Sequence, residues 1–476
     1  MKKSITYLCI LLFLFVAACK KESFITSRDA LISLSSDTLH FDTVFTSVGS
    51  VTQSFKIINE NNQKLQLTSV HLKGGAGSAF KINVDGIPGP QSGSIDIDAN
   101  DSIYVFVSVS INPDLNNLPF IIRDSIEVAY NGNTRFVQLE AWGQNANFLR
   151  NKKITGNITW TNNLPYVILG GLQVDTTATL TIEKGCKIYL HADAPFLVDG
   201  TLKVNGEHFD STRVYFRSDR LDFPYNAYPG SWPGIYFRPT SKDNVLEYAV
   251  VQNAYQGVVA QQLSVNANPK LQLNECIIDN IYDAGIIGIQ SSITARNCLI
   301  SNCGASKDGN GNITLGYGGV YNFTHCTAVG ISNNYVLHLL PVLSVYDYIT
   351  QNNVDYTASL TANFTNCIFW GDSLQNGNEV VANKKGPVFN VQFNNCLWRQ
   401  KTIPANITAN FITNIQGEGK DTSIFLGINR EKRIFNFRLQ DNSPAINKGV
   451  NTGIVFDLDG NPRALGLPDL GAYEKQ

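Results

Sequence analysis

The first third of the chain alternates apolar and polar residues over short runs. Three examples are Ser102–Val107, Ser125–Val128 and Phe136–Leu139, and turn-forming clusters such as Asn131–Asn133 separate the runs. A period of two places every second side chain on one face of a β-strand, so each run predicts a half-buried strand. About seven strands in a little over 100 residues are typical of a β-sandwich. We therefore predict a sandwich over residues 30–148.

From about residue 154 a different pattern begins, in which one phrase recurs. Each copy carries an apolar residue, spacers, a polar residue, a cysteine and an apolar pair, and the cysteines are Cys276, Cys298, Cys326, Cys367 and Cys396. Their intervals of 22, 28, 41 and 29 residues are each about one coil of a solenoid, with insertions in the longer ones. A small thiol that returns once per coil suits an inward corner. The repeat predicts a parallel β-helix over 154–440 with the cysteines inside.

A polar residue precedes each of these cysteines: Glu275, Asn297, His325, Asn366 and Asn395. Asparagine tolerates the left-handed backbone conformation, and its amide can bond the residues above and below. We expect a ladder of turns at this position. Seven cysteines follow Cys19, and an odd number argues against a pure disulfide framework. The sequence does not decide whether Cys298 and Cys303, which are close in sequence, bond each other.

The closing segment, residues 441–476, differs from the coils and is rich in turn signals. A solenoid needs a cap, because its last coil would otherwise expose apolar side chains and unpaired strand edges. We interpret 441–476 as that cap, with Asp457 and Asp459 in its turns and Arg463 paired with a carboxylate. Calcium binding by Asp457 and Asp459 is the weaker alternative.

Two longer resemblances support this all-β architecture. The phrases "LTIEKGCKIYL", "GSWPGIYF" and "NVLEYAVVQNAYQGV" and the ending "GLPDLGAYE" resemble right-handed parallel β-helix proteins of the pectate-lyase-like superfamily, especially Bacteroidetes surface lipoproteins. The stretch "DTLHFDTVFTSVGSVTQSFKIINE" and the later "VQLEAWGQ" resemble immunoglobulin-like domains of the ASPM/SPD-2/Hydin group. The first resemblance implies the fold and leaves the activity open, because one fold hosts many functions.

The N-terminus reads as an export signal. Lys2 and Lys3 precede an apolar run that ends in Val16-Ala17-Ala18-Cys19, which is the order of features in a signal peptide. The tetrapeptide resembles the lipobox of bacterial lipoproteins, which implies cleavage after residue 18, acylation of Cys19 and a firm membrane anchor. Residues 19–29 then form a tether. The charged residues after Cys19 resemble surface-export signals of Bacteroidetes lipoproteins. We therefore expect an outer-membrane lipoprotein, with exposure on the cell surface favoured.

Charge and composition exclude some partners and cofactors. Without residues 1–18 the chain has 35 basic and 39 acidic residues, a net charge of −4 spread without blocks, so we expect no nucleic-acid partner. The acids between residues 246 and 400 do not recur at one position of the coil, which argues against a calcium ladder. Asp308–Asn312 has the spacing of a calcium loop, but Gly319 stands where that loop needs glutamate. We therefore expect no cofactor, with calcium as a weak alternative.

The most informative candidate site is one proline-rich stretch near residue 225. We predict ligand contact by its basic and aromatic residues, namely Arg217, Arg220, Tyr225, Tyr228 and Trp232. Aromatic rings stack on sugar faces and arginines bind acidic groups. Trp232 has packing at a corner of the solenoid as its alternative role. Asp219 and Asp222 lie close enough in sequence to suggest the acid pair of a glycoside hydrolase, and a solvated charged loop is the alternative that we favour. An insertion over 335–356 adds further tyrosines.

Three functions are compatible with these features. The first is a lipoprotein whose β-helix binds a glycan or a surface protein without catalysis. The second is a polysaccharide lyase or glycoside hydrolase on the same fold, and the third is a structural envelope protein. The missing acid ladder favours the first, although sites assembled from distant residues escape the sequence.

Overall fold

The computed structural model describes residues 23–45, 51–111, 120–306, 309–372, 377–415, 424–463 and 466–476. Residues 1–18, Cys19 and Asp308 lie outside these ranges. The described residues are almost entirely β-structure with two 3₁₀ turns, Gly75–Gly77 and Tyr225–Ala227, and they contain no helix long and apolar enough to span a bilayer. The chain divides into two compact units, Met1–Asn145 and Ala146–Gln476.

The first unit is a β-sandwich, as predicted. Its strands are β1 Ile32–Leu34, β2 Thr38–Phe45, β3 Gln53–Asn59, β4 Leu65–Leu72, β5 Phe80–Val84, β6 Ile87–Pro88, β7 Gln91–Ser92, β8 Ile95–Ile97, β9 Ser102–Val109, β10 Phe120–Tyr130 and β11 Asn133–Gln144. One sheet has the order β1-β3-β9-β5-β6, and the other has the order β2-β11-β10-β4-β7 with β8 beside β4. The alternation in β9 buries Ile103, Val105 and Val107 in the shared core, which confirms the period-two prediction.

The second unit begins with a long ladder of parallel strands. They are β12 Asn147–Ile154, β13 Asn157–Trp160, β14 Tyr166–Val174, β15 Thr179–Glu183, β16 Lys187–Leu190, β17 Phe196–Val198, β18 Thr201–Asn205, β19 Val214–Ser218, β20 Ile235–Phe237, β21 Asn244–Glu247, β22 Ala249–Gln252, β23 Val258–Gln261, β24 Leu271–Asn274, β25 Ile277–Ile281, β26 Ile286–Arg296, β27 Leu299–Cys303, β28 Ile313–Thr324, β29 Thr327–Gly330, β30 Leu343–Tyr346, β33 Leu360–Thr365, β34 Ile368–Gly371, β35 Val380–Asn383, β36 Phe389–Asn394, β37 Leu397–Trp398, β38 Thr408–Asn410 and β39 Thr413–Asn414. Two antiparallel hairpins lie outside this ladder, β31 Tyr348–Gln351 with β32 Val354–Thr357, and β40 Phe425–Asn429 with β41 Ile434–Leu439.

The ladder winds into a parallel β-helix with three faces, which confirms the predicted fold class. Sheet A contains β13, β15, β18, β21, β24, the ends of β26 and β28, β33, β36 and β38. Sheet B contains the start of β14, β16, β19, β22, β25, β27, β29, β34, β37 and β39. Sheet C contains the end of β14, β17, β20, β23, the starts of β26 and β28, β30 and β35.

The repeated cysteines lie inside the helix, at the turn from sheet A to sheet B, as the repeat predicted. All seven described cysteines are buried and free, so Cys298 and Cys303 form no disulfide. Four of the five repeated thiols contact a backbone carbonyl of the preceding coil; the Cys298 Sγ, for example, lies 3.4 Å from the carbonyl of Leu273, and the Cys396 Sγ lies 3.5 Å from that of Phe364. The thiols are therefore part of the packed interior.

The residue before each cysteine adopts the left-handed conformation that the sequence predicted. The φ values of Asn297, Asn366 and Asn395 are 48°, 55° and 50°, and those of Glu275 and His325 are 53° and 51°. The side chains form a ladder in two places only, where the Asn297 amide donates to Glu275 at 3.2 Å and the Asn366 amide lies 2.9 Å from His325 Nε2. Other hydrogen bonds of these side chains reach the C-terminal segment, which the sequence analysis placed at the end of the solenoid.

That segment is the C-terminal strap, which we define as residues 424–463 and 466–474. It runs back along the turns between sheets A and B: Asn395 donates to the Lys448 carbonyl at 2.8 Å, Asn297 to that of Phe456 at 2.7 Å, and Arg213 to that of Leu458 at 2.9 Å. The interpretation of 441–476 as an end cap is therefore corrected, because this segment covers the side of the solenoid. An apolar strap and an apolar cap bury the same kinds of residues, and so the two have similar sequences.

The bounds of the solenoid also differ from the sequence interpretation. Its strands extend from Asn147 to Asn414, compared with 154–440 in the prediction. The first strand, β12, lacks the repeated phrase and joins the ladder by pairing with β14. The hairpin of β40 and β41 belongs to the strap, where its Phe425 and Leu439 are buried against sheet B.

Candidate functional site

The predicted site lies on a loop, residues 219–233, at the corner between sheets B and C. Two asparagines of later coils hold it in place, since Asn253 donates to the carbonyl of Asn226 at 2.7 Å and Asn280 to that of Ala227 at 3.0 Å. Both asparagines have left-handed backbones, with φ of 63° and 57°, which turns their amides toward the loop. Because the scaffold fixes the backbone, the loop presents its side chains in a set arrangement.

Three of the predicted residues form one continuous contact chain. The guanidinium of Arg220 lies 4.0 Å from the ring centre of Tyr225, and the Tyr225 ring packs edge-on against Tyr228 with 5.4 Å between centroids. Tyr228 in turn packs edge-on against Tyr335 at 4.8 Å, and the guanidinium of Arg433 lies 4.4 Å above the Tyr335 ring. We call these five residues the arginine–tyrosine cluster.

Sequence reasoning missed two members of the cluster. Tyr335 opens the insertion that the sequence did flag, but nothing in its neighbourhood connects it to the loop at 219–233. Arg433 follows the turn of the strap hairpin and carries no motif. The structure joins them because the loop, the insertion and the hairpin all reach the corner between sheets B and C.

The electrostatics of the cluster depend on how each arginine is held. Arg220 makes two hydrogen bonds to Asp222, of 2.8 and 2.9 Å, and these raise the pKa of its guanidinium. Arg433 donates to the neutral Asn280 side chain at 3.1 Å, and burial lowers its pKa. Its Nε is buried and has no partner among the described residues. The charge of Asp279 opposes the lowering of this pKa, so the Arg433 guanidinium is partly compensated within the protein.

Arg217 lies on β19, three residues before Arg220 in the sequence. Its Nη2 donates to the Tyr189 hydroxyl at 2.9 Å, with the guanidinium 5.0 Å from the centre of that ring. Its Nε is buried without a partner among the described residues. The positive charge thus faces a neutral phenol, so it can pair with an anion from outside.

Trp232 does not contribute a binding surface, which corrects one predicted contact. Its side chain is 1% exposed, and its Nε1 donates to the Gln252 carbonyl at 2.8 Å. A ring that is buried in the solenoid cannot stack on a ligand. The alternative that the sequence offered, packing at a corner, is the one that the structure supports.

The two nearby acids are each engaged separately. Asp222 holds Arg220, and Asp219 is hydrogen-bonded to His191, with 2.7 Å between Oδ2 and Nδ1. They do not form the opposed pair of carboxylates that glycoside hydrolysis uses. The sequence interpretation of this stretch as a solvated charged loop is wrong for Asp219, whose side chain is only 7% exposed.

Beyond Tyr335, the insertion over 335–356 forms a separate feature. Its hairpin, β31 and β32, places Tyr348 under the ammonium of Lys385, 3.9 Å from the ring centre, and Lys385 also pairs with Asp355 at 2.7 Å. Tyr348 and Lys385 line an open cavity of about 640 Å³ that extends to the loop 402–406. This cavity is lined by residues other than those of the cluster.

The predicted calcium ligands have other roles. The Asp457 carboxylate accepts backbone N–H groups from Asp459, Asn461 and Glu474 at 2.9, 2.7 and 2.9 Å, and Asp459 pairs with Arg438. These contacts organise the strap. Among the described residues, no group of three or more histidine, cysteine or acidic side chains is arranged to hold a metal ion.

Comparison with known proteins adds little beyond the fold. No protein-family model and no curated protein matches the chain. The pectate lyase Pel9A matches with 14% identity over 70% of this chain and 88% of its own, at a TM-score of 0.32. A family 123 glycoside hydrolase from Clostridium perfringens matches with 14% identity over 28% of this chain and only 30% of its own length, at 0.19. A PapD-like domain of human CEP192 matches with 10% identity over 27% of this chain and 92% of its own, at 0.18.

Proposed function

We propose that this chain is a lipid-anchored envelope protein that binds an acidic glycan through the arginine–tyrosine cluster. The observation that carries the proposal is the unbroken series of ring and guanidinium contacts from Arg220 to Arg433. Sugar rings present C–H faces to aromatic rings, and planar guanidinium groups bind carboxylates or sulfates. Tyr225 is 45% exposed, which leaves ring surface for such a ligand.

The charge distribution favours an acidic ligand over a neutral one. Arg217 donates to the neutral Tyr189 hydroxyl, whereas Arg220 is paired with Asp222 and the charge of Asp279 acts on Arg433. Among these three arginines, Arg217 is the one whose charge has no carboxylate partner among the described residues, and an anionic group of a ligand can pair with it. We therefore expect uronate or sulfated glycans to bind more tightly than neutral ones.

We further infer that Cys19 carries the lipid and that the sandwich is an immunoglobulin-like spacer between the anchor and the β-helix. The order of charged, apolar and small residues before Cys19 supports the first inference. The position of the sandwich between the lipidation site and the solenoid supports the second. We propose the outer membrane as the location of the anchor, with exposure on the cell surface favoured.

Affinity electrophoresis and calorimetry with polygalacturonate, alginate, chondroitin sulfate and neutral amylose test the binding proposal. We expect the full chain, purified in detergent, to bind at least one acidic polymer, and Arg220→Gln, Tyr228→Ala or Arg433→Gln to weaken that binding at least tenfold. Arg438→Gln is the matched control, since Arg438 also pairs with an aspartate and lies 5.0 Å from a tyrosine ring centre, but in the strap. Equal loss in the control, or no binding to any polymer, would contradict the proposal and leave a protein partner to be sought.

Metabolic labelling with a radioactive fatty acid tests the anchor. We expect label in the wild-type chain and none in Cys19→Ser, which should also leave the membrane fraction. Cys9→Ser, which changes a cysteine inside the predicted signal segment, is the control and should keep the label. Persistent labelling of Cys19→Ser would show that the lipid is attached elsewhere.

A further inference from the structure

Sheet C ends earlier along the solenoid than the other two sheets. After the coil of β33, β34 and β35, the chain adds β36 and β38 to sheet A and β37 and β39 to sheet B. Between β37 and β38, where a coil returns through sheet C, residues 399–407 are all described and form no strand. β35 pairs in register with β30 on one side, and among the described residues no strand continues sheet C on its other side. One edge of β35 is therefore open.

A side chain of the protein occupies the first position of this open edge. The Val380 amide donates to Gln400 Oε1 at 2.9 Å, and Gln400 Nε2 donates to the Val380 carbonyl at 2.8 Å. On the opposite side, the Leu343 amide of β30 donates to the Glu379 carbonyl at 3.0 Å. Backbone groups of alternate residues in a parallel strand point to opposite neighbours. The N–H and C=O of Ala382 therefore point to the same side as those of Val380, and they have no partner among the described residues.

The open edge forms one wall of the cavity of about 640 Å³, which is also lined by Tyr348 and the loop 402–406. The side chains of Val380 and Ala382 point into the core of the solenoid, so the backbone of β35 is what faces the cavity. An unpaired strand edge is a template for another strand, because its N–H and C=O groups accept an extended chain in register. The cavity thus leaves space for a short extended segment beside β35.

The charge of the cavity wall is positive. Lys384 and Lys385 follow β35 directly, and no residue that lines the cavity is acidic. Buried Asp347 fixes this turn by accepting the amides of Lys385 and Gly386, each at 2.8 Å. Lys385 pairs with Asp355 at 2.7 Å, whereas Lys384 is exposed and has no ion-pair partner among the described residues. An acidic side chain can pair with Lys384, and a second copy of this edge would instead bring like charges together.

We propose that the open edge of β35 binds an extended acidic peptide segment of another protein, which adds as a strand to sheet C. The backbone of the peptide pairs with the N–H and C=O of Ala382, and an acidic side chain of the peptide pairs with Lys384. The residues of the arginine–tyrosine cluster do not line this cavity. Peptide binding at β35 is therefore independent of glycan binding at the cluster.

Fluorescence anisotropy with three labelled octapeptides tests the proposal on the full chain in detergent. The first alternates valine and aspartate, the second has lysine in place of aspartate, and the third is the first with a methyl group on every backbone nitrogen. We expect the first to bind, and the other two to bind at least about tenfold more weakly, because they lose the charge pairing or the backbone donors. Absence of binding by the first, or equal affinity for the first and third, would overturn the proposal.

Two variants of the protein locate the peptide. Lys384→Glu should weaken binding of the first peptide at least about fivefold, whereas Lys187→Glu, at an exposed lysine of β16, should leave the affinity unchanged. Ala382→Pro removes the N–H that points away from β30, so it should abolish binding and keep the ladder. Its unfolding midpoint shows whether it folds, and Lys384→Glu decides the question if it does not.

Other occupants of the edge give different results. Unchanged peptide affinity in Lys384→Glu would place the peptide elsewhere and overturn the proposal. A dimer in sedimentation analysis that Ala382→Pro dissociates would assign the edge to a second copy of the chain. Binding of polygalacturonate that is lost in Lys384→Glu, without binding of the acidic peptide, would assign the cavity to a glycan. Each of the last two results would also overturn the proposal.

Discussion

The outer face of sheet B has two regions with opposite character. Near its N-terminal end the outward row contains Tyr189 and, opposite it in register, Arg217. In later coils the same row contains Asp279 and its register partner Ser301, followed by Val329 and Trp370. The same position of the coil thus changes from polar and aromatic to fully apolar.

The C-terminal strap explains the change. Val329 and Trp370 are 0% and 1% exposed because the strap residues Phe425, Leu458 and Leu470 pack on them. Tyr189 is also buried, at 2% exposure, but its ring is in contact with Arg217, and the adjoining loop leaves Tyr225 45% exposed. The strap therefore stabilises the solenoid from outside over its later coils, whereas the earlier coils carry the exposed loop of the candidate site.

Truncation of Trp370 should have the largest effect on stability. Trp370→Ala removes a fully buried ring between sheet B and the strap, and we expect a loss of about 3–5 kcal/mol in the free energy of unfolding. Tyr225→Ala, in the uncovered region, should change it by about 0.5 kcal/mol. Chemical denaturation followed by circular dichroism measures both, and similar losses in the two variants would contradict a division into covered and uncovered regions.

The next effect concerns a buried charge that ties the strap to the solenoid. Arg463 donates to Glu474 at 3.0 Å and to Asn297 at 2.9 Å, and the side chains of the ion pair are 1% and 3% exposed. Arg463→Met leaves Glu474 buried without its cation, and we expect a loss of about 3 kcal/mol or more. Arg438→Met breaks a pair that is partly exposed, so it should cost less than about 1 kcal/mol. A larger loss for Arg438→Met would contradict this ranking.

The sequence predicted the solenoid well because its signal is local and repeated. It also carried a signal for the strap, since the apolar pairs after the cysteines, such as Leu299-Ile300 and Ile368-Phe369, put one apolar side chain on each face of a strand. A strand that is apolar on both faces is covered on both faces. An end cap cannot cover the sides of several coils, so this pattern favours a strap.

The candidate site was predictable only in part, for a different reason. Arg220, Tyr225 and Tyr228 were found because they lie on one short loop with prolines. Tyr335 and Arg433 come from an insertion and a hairpin far along the chain, and His191 meets Asp219 only when two coils stack. Contacts between coils depend on register, and insertions of unequal length hide the register in the sequence.

The strap also makes the free energy of unfolding depend on pH through His325, which lies in one turn of the ladder. Burial, together with the charge of Arg463, lowers the pKa of His325 to about 3. The unfolded histidine titrates near 6.5, so the unfolded state binds the extra proton as pH falls. Stability from this residue is complete above about pH 6.5 and is lost between 6.5 and 3, at up to about 1.4 kcal/mol per pH unit.

His325→Gln should therefore flatten the pH dependence of unfolding between pH 6.5 and 4.5. Denaturation series at several pH values measure the slope, which should fall by up to one proton relative to wild type. His208→Gln, an exposed histidine of the same unit, should leave the slope unchanged. Equal slopes in wild type and His325→Gln would mean that the strap does not bury this turn.

The smallest loss of stability should come from a substitution in the column of buried cysteines. The column lies inside the solenoid, so such a substitution tests the interior packing and not the strap. Cys298 is fully buried with its Sγ 3.2 Å from the Arg296 carbonyl, and Cys298→Ala removes that contact and leaves a small void. We expect a loss of about 1–2 kcal/mol. Burial raises the pKa of this thiol well above its ordinary value, so thiol reagents should label Cys298 and Cys303 only after unfolding. Labelling of Cys298 in the native protein at the rate of an exposed thiol would show that the column opens, and the strap would then be holding a looser interior than the packing implies.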